Sequence, residues 1–296
     1  MSHLNRRRFL AVSACAAGIA ASPVAAATFA EWRGVALGAQ ASMKISGLNQ
    51  AEAEGIFAEV QAELERLELI FSLYRESELT LLNRNGMLAT PAPELLQVLS
   101  LSDRVNKASL GAFDPTVQAL WTAHAEGGDL SAAKAMIGWS KVGFNTEAVT
   151  LAKPGMALTL NGIAQGTVTD RISALLKSHG LTNVLLDMGE IAAMGEREAG
   201  QPWRVGVINP QGEMLRKLTL TDRAMATSAV DGFRLPDGAS HILHPFGNEP
   251  TQSLVSIAAP TAALADALST AACLMHTEAV TAMVAQFDGA EVIALT

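Results

Sequence analysis

Apolar and polar positions divide the chain into an early helical part and a later part where short strands and helices interleave. From Gln50 to Phe71 apolar residues recur at Ile56, Val60, Leu64 and Leu67, the repeat of one helix face, with Asn49 placed to cap the first turn. Ser77 reads as the cap of a short helix that stops at the Asn85-Gly86 turn. Leu95, Val98, Leu99 and Val105 predict a helix over 93–107, and a shorter one is predicted over 131–137. From about Val142 the period changes. The runs VGF (142–144), VTL (149–151) and MALTL (156–160) predict strands. Val168, Ile172, Leu175 and Leu176 then mark a helix that begins near Thr167 and closes at Gly180. NVLLD, WRVGVI, KLTLTD, VSIAA and VIALT predict further strands, with helices over 263–275 and 278–287 between them. Helices first, then strands mixed with helices, predict a single α+β domain of mixed sheet and helices and not a regular βαβ array.

The start of the chain breaks this pattern. NRRRFLA, with Arg6, Arg7 and Arg8, precedes an apolar run of small residues and then SPVAAATFAEW. A basic stretch, a short apolar stretch and an A-x-A site describe a removed signal peptide, cut after Ala27 or Ala26. The paired arginines before Phe9-Leu10 resemble a twin-arginine signal. VSAC, ending at Cys15, loosely resembles a lipoprotein cleavage site, but the apolar run continues past it. The expected organisation is therefore a signal over residues 1–27 and one domain over 28–296, periplasmic, with no membrane span of its own. With the signal gone, Cys273 is the single thiol, in the apolar context AACLM of a buried structural cysteine.

Charge narrows the partners. Loss of three arginines takes the formal net charge from −8 to −11. An acidic body argues against nucleic acid and anionic membrane surfaces. It leaves room for a phosphate ligand if a metal ion supplies local positive charge.

Four stretches could carry chemistry. In TLNGIAQG, Gly162 and Gly166 either permit unusual backbone angles in a strand-to-helix turn or let the backbone and a helix N-terminus approach a phosphate. In GAFDPTV, Asp114 before Pro115 is a good helix cap, and an exposed Phe113 beside it could stack on a flat ring. In ADALSTA, Asp266 and Thr270 project from one face of an apolar helix, where a carboxylate is rare unless paired or bound to a metal. A hard cation such as Mg²⁺ takes such oxygens together with substrate phosphates; the alternative is a Thr270 hydroxyl bonded back to the Asp266 carbonyl. In SHILHP, an extended reading sends His241 and His244 to opposite faces, one a possible base and the other a surface residue.

In order along the chain, FSLYRESELTLLN, GAFDPTV, NGIAQGTVTDR, NVLLDMGEIAAMG, WRVGVINP, ATSAVDGF, SHILHP and ADALSTA resemble the motif series of the ApbE family, the FAD:protein FMN transferases. The resemblance implies a Mg²⁺-dependent enzyme that splits FAD at the pyrophosphate and attaches FMN through a phosphodiester to a Ser or Thr of a target flavoprotein, releasing AMP. It places Leu37, Tyr74, Ala112, Phe113, Asp114, Thr159, Gln165 and Ile242 at the FAD site. Gly162, through its carbonyl, and the side chains of Asp266 and Thr270 would hold the metal, and His241 would be the base. The implied acceptor is an exported flavoprotein, such as a membrane-bound electron-transfer protein with a periplasmic domain. The family often has Asp where Thr159 stands, Lys where Gln165 stands, Asp where His244 stands, and an acidic residue where Ser269 stands. These departures imply weaker metal and phosphate binding and a specialised branch; twin-arginine export and GIAQG resemble the NosX-type accessory proteins of nitrous oxide respiration. The same site would also serve an FAD pyrophosphatase giving AMP and FMN, or a non-catalytic FAD carrier.

Overall fold

The computed structural model describes residues 28–296, so the expected signal over 1–27 lies outside the described residues. A hairpin opens the fold: β1 (Phe29–Ala36) and β2 (Ala39–Ser46) pair antiparallel through the two-residue turn Leu37-Gly38, both at positive φ (47° and 83°). The pattern reading missed both strands. Their buried positions do alternate in β2, at Ala39, Ala41, Met43 and Ile45, but half of them are alanine, which hardly marks a period.

The helices that follow start where side chains supply the orphan amide donors with acceptors. For α1 (Gln50–Phe71), Asn49 accepts from Glu52 N–H while the Glu52 carboxylate accepts from Asn49 N–H. Ser77 and Thr80 do the same for α2 (Glu78–Asn85), which ends at Gly86 in the left-handed conformation. After β3 (Met87–Ala89) and α3 (Pro93–Ala108), a 3₁₀ turn over Pro115–Val117 leads into α4 (Gln118–Glu126) and α5 (Leu130–Lys134). β4 (Val142–Phe144) and β5 (Ala148–Leu151) complete a small sheet with β3.

The strand expected over 156–160 does not form. The Asn83 carboxamide takes both backbone groups of Leu158, at 2.7 and 2.8 Å, and Thr159 N–H donates to the Pro115 carbonyl at 2.8 Å. Those groups are then unavailable to a ladder, and the segment runs as an irregular strut into α6 (Ala164–Ser178). This helix begins three residues before the expected start, which puts Gly166 inside it.

β6 (Val184–Asp187), β7 (Ile191–Met194), β8 (Glu196–Glu198), β9 (Gln201–Ile208), β10 (Met214–Leu220) and β11 (Arg223–Ala229) follow. The chain then makes β12 (Leu254–Ala259), α7 (Ala262–Cys273), α8 (Thr277–Val284) and β13 (Glu291–Leu295). Among the described residues the main sheet has the order β1-β2-β6-β7-β11-β12-β13 and is antiparallel at every junction. One face buries Val184, Leu186, Ala192, Met194, Val255 and Ile257 in a core with α1, α6 and α7. The other buries Leu185, Ile191, Ala193 and Leu254 against Trp203, Val205 and Val207 of the β8-β9-β10 sheet. Cover on both faces is why these strands read as unbroken apolar runs and not as alternating ones. No helix among the described residues is long and apolar enough to cross a membrane. α7 packs on β11 and β12 and beside α6, and the cleft lies where the start of α6 meets α7.

Candidate active site

Two glycines set how closely α6 and α7 approach. A Cβ on Gly166 would stand 2.3 Å from the Ala262 carbonyl oxygen, and one on Gly162 would stand 2.8 Å from Oγ1 of Thr270. The spacing of NGIAQG is therefore first a helix-packing device, and Gly166 meets α7, not a ligand. Its N–H is occupied as well, donating to Oδ2 of Asp266 at 3.1 Å. Asp170, one turn further along α6, accepts from Ala262 and Ala263 N–H at 2.7 and 2.9 Å and so caps α7.

This packing buries carboxylates. Asp266 is only 3% exposed; burial pushes its pKa up to about 7 against the Gly166 hydrogen bond, with the Asp170 charge adding to the rise. Glu190, just before β7, is also buried, and its carboxyl lies well above the usual range through burial first and the fields of Asp266 and Asp187 next. Among the described residues lining the cleft there is no Lys or Arg. Without a lining cation these buried carboxyls are pushed toward their protonated form, and a bound cation would favour the charged form instead.

Hydroxyls surround Asp266. Ser269 Oγ donates to the Asp266 carbonyl at 3.0 Å, so the back-bond weighed for Thr270 is made by Ser269 instead. Thr270 Oγ1 lies 3.3 Å from Ser228 Oγ, which also meets Ser269 Oγ at 2.8 Å.

The opposite lining comes from two irregular segments. Phe113 is buried, contrary to the exposed ring expected from sequence: its N–H donates to Ser109 Oγ at 3.0 Å and its carbonyl accepts from Asn106 Nδ2 at 2.7 Å. Asp114 accepts from Thr116 N–H and Oγ1 and from Trp139 N–H, as a turn-holding cap would. The stretch around His241 is not a strand, because side chains take its backbone donors: Ser240 Oγ accepts from Ile242 N–H and His244 Nδ1 from Phe246 N–H. His241 Nδ1 lies 2.8 Å from the Phe233 carbonyl, an arrangement that assigns the proton to Nδ1 and the lone pair to Nε2. Burial lowers the His241 pKa below its ordinary value, so the ring is neutral at pH 7. His244 is buried, not the surface residue expected, and is outside the cleft lining.

Of the residues singled out from sequence, Ala112, Phe113, Asp114, Thr159, Gly162 and Gln165 line one cleft, together with His241, Ile242, Asp266 and Thr270. Leu37 and Tyr74 are not in that lining; Leu37 sits in the hairpin turn and Tyr74 is 47% exposed. Glu190, Ser228 and Trp121 line the cleft and were not singled out. Glu190 had a legible cue, a lone acid entering the apolar run IAAM. The other two had none.

Comparison with known proteins covers nearly the whole described chain. The ApbE family profile matches residues 37–294. An FAD:protein FMN transferase from Klebsiella pneumoniae (strain 342) is 26% identical over 282 residues, 84% of this chain and 79% of that protein. One from Treponema pallidum (strain Nichols) is 34% identical over 163 residues, 49% of this chain and 45% of that protein. The flavin transferase ApbE from Vibrio cholerae superposes with a TM-score of 0.79 at 23% identity, covering 90% of this chain and 93% of that one. The apo flavinyl transferase ApbE of Pseudomonas stutzeri gives 0.77 at 24% identity, with 90% of each chain covered.

Proposed function

The chain belongs to the ApbE family, and from that premise we propose that it is a Mg²⁺-dependent flavin transferase that moves FMN from FAD onto a Ser or Thr hydroxyl of an exported flavoprotein. The observation that carries this reading is the presence, in one cleft, of a neutral imidazole with its tautomer set and of a buried carboxylate among hydroxyls.

The donor set fits a hard cation. Among the described residues no three His, Cys, Asp or Glu side chains stand together as a metal site, so the shell has to draw on other oxygens. Asp266, the Thr270 hydroxyl and the Gly162 carbonyl would hold Mg²⁺, and Gly162 suits this because a side chain there would fill the space beside Thr270. Bound there, the cation would neutralise charge on the pyrophosphate and on the departing AMP. The chain's own residues do the rest. Ala112 and Phe113 offer a wall to the flavin, with the Phe113 backbone held by Asn106 and Ser109. His241 takes the proton of the acceptor hydroxyl at Nε2 as the oxygen bonds to the FMN phosphorus. The phosphorus–oxygen bond to AMP then breaks, and AMP leaves. The twin-arginine start supports delivery of the folded protein to the periplasm.

The purified 28–296 chain, given FAD, MgCl₂ and a candidate acceptor domain, should add the mass of FMN to that domain and release one AMP per FMN attached. Free FMN without acceptor labelling would instead show a pyrophosphatase, and unchanged FAD a carrier.

A further inference from the structure

Two large apolar side chains close in sequence to the cleft lining stay exposed. Leu110 is 82% exposed and Phe246 is 68% exposed. Leu110 lies two residues before Ala112 of the cleft lining, and Phe246 three residues after Leu243. The two segments meet, because a Cβ on Gly111 would stand 3.2 Å from Cζ of Phe246. The phenyl ring thus rests on the backbone beside Leu110, so that two exposed apolar side chains stand next to each other where the two lining segments meet.

Leu110 is also held in an unfavourable conformation. Its φ is +53°, the left-handed region that a branched side chain avoids. The loop imposes it: Leu110 N–H donates to the Lys107 carbonyl at 3.2 Å, Gly111 N–H to Asn106 at 2.8 Å and Ala112 N–H to Ser109 at 3.1 Å. Glycine or asparagine would make the same turn without strain and without exposing four apolar carbons. Phe246 is fixed too, with its N–H on His244 Nδ1 at 3.1 Å and the two ring centroids 5.4 Å apart. A strained, exposed leucine beside an exposed, ordered phenylalanine is repaid by a molecule that covers both.

We propose that Leu110 and Phe246 form the docking patch for the acceptor polypeptide, receiving an apolar side chain next to the Ser or Thr that takes FMN. This rests on the flavin-transfer reading of the cleft. The occupant follows from position: Leu110 and Phe246 lie within three residues of the lining segments that include Ala112 and His241, so a polypeptide that brings a hydroxyl to His241 lays its own neighbouring side chains alongside them.

The test uses two synthetic peptides with one threonine each and no serine, flanked on both sides by leucine in one and by glutamine in the other. Their binding to the FAD-loaded protein and the FMN mass added to each are measured for the wild type and for the Leu110→Ser, Phe246→Ser double variant, whose changes are both at exposed positions. The wild type should bind the leucine peptide at least about ten-fold more tightly, since burying one such side chain is worth roughly that factor. The double variant should lose the preference while its FAD dissociation constant stays within two-fold. No preference in the wild type, or a preference that survives the double substitution, overturns the proposal. A ten-fold loss of FAD affinity in the variant would overturn it in favour of a flavin contact. A wild-type dimer abolished in the variant, without any peptide preference, would overturn it in favour of a second copy of this chain. If the binding preference holds but neither peptide gains FMN, the docking patch stands and the transferase reading fails.

Discussion

On the proposed mechanism His241 and Asp266 have separate tasks, and single substitutions should separate their effects. His241→Ala should lower flavin transfer by about 10²–10⁴, the usual contribution of a positioned base, while FAD affinity stays within a few-fold. Because burial holds the His241 pKa below its ordinary 6.5, the base is already deprotonated at pH 7. At saturating FAD and MgCl₂, which keep Asp266 in its charged form, transfer should therefore be flat above neutrality and fall only as pH drops below about 6.5. A profile still rising between pH 7 and 9 would remove His241 from the role of base. His244→Ala should change transfer little and lower the melting temperature, since His244 is buried and holds Phe246 N–H. Asp266→Ala should abolish Mg²⁺-dependent turnover in a chain that still folds; normal activity at limiting Mg²⁺ would show the metal assignment to be wrong.

At the scale of elements, α6 and α7 act as one unit, and the glycines between them have different jobs. The Cβ of Gly166→Ala would collide with the backbone of Ala262, 2.3 Å away, which cannot rotate aside. Overpacking of this kind costs about 1–3 kcal/mol, and the melting temperature should drop accordingly. In Gly162→Ala the obstacle is the Thr270 side chain, which can turn. That variant should stay nearly as stable but need more Mg²⁺ for half-maximal turnover. Melting curves and Mg²⁺ titrations of both variants check the contrast; equal losses of stability would refute it. Both elements were legible in the residue pattern. Their contact was not, because no periodicity records which glycine faces which carbonyl.

For the whole molecule, buried acids set the pH response. Asp170 and Asp187 titrate at about 6 and Asp266 at about 7, all above an ordinary 3.8, through burial first. Groups raised in this way give stability that is full below the unfolded value and lost as pH rises through the folded value. The lowered histidines His241 and His244 act in the opposite sense, but only up to about 6.5. Asp170 and Asp187 have lost most of their share by about pH 6.5, so between pH 6.5 and 8 it is Asp266 and the well-raised Glu190 that should lower the melting temperature of the metal-free chain, and MgCl₂ should restore part of the loss at pH 8. A metal-free melting temperature that rises over this window would contradict the burial of these acids. On the same scale, replacing Arg6 and Arg7 by Lys should leave the precursor in the cytoplasm, as followed by fractionation; continued export would refute the twin-arginine reading.

The residue pattern alone determined most helices and their caps, Asn49 and Ser77 included, because capping and a 3.6-residue repeat are local physics. It also carried the order of motifs, and with it ten of the residues that line the cleft. It did not show β1 or β2, where alanines at half the buried positions of β2 mute the alternation, nor the loss of a strand over 156–160, where Asn83, 75 residues away, takes the backbone of Leu158. The burial of Phe113 and His244, the raised acids and the patch at Leu110 and Phe246 were decided by tertiary structure alone. Exposure, field and close approach arise between segments distant in sequence, and only packing brings those segments together.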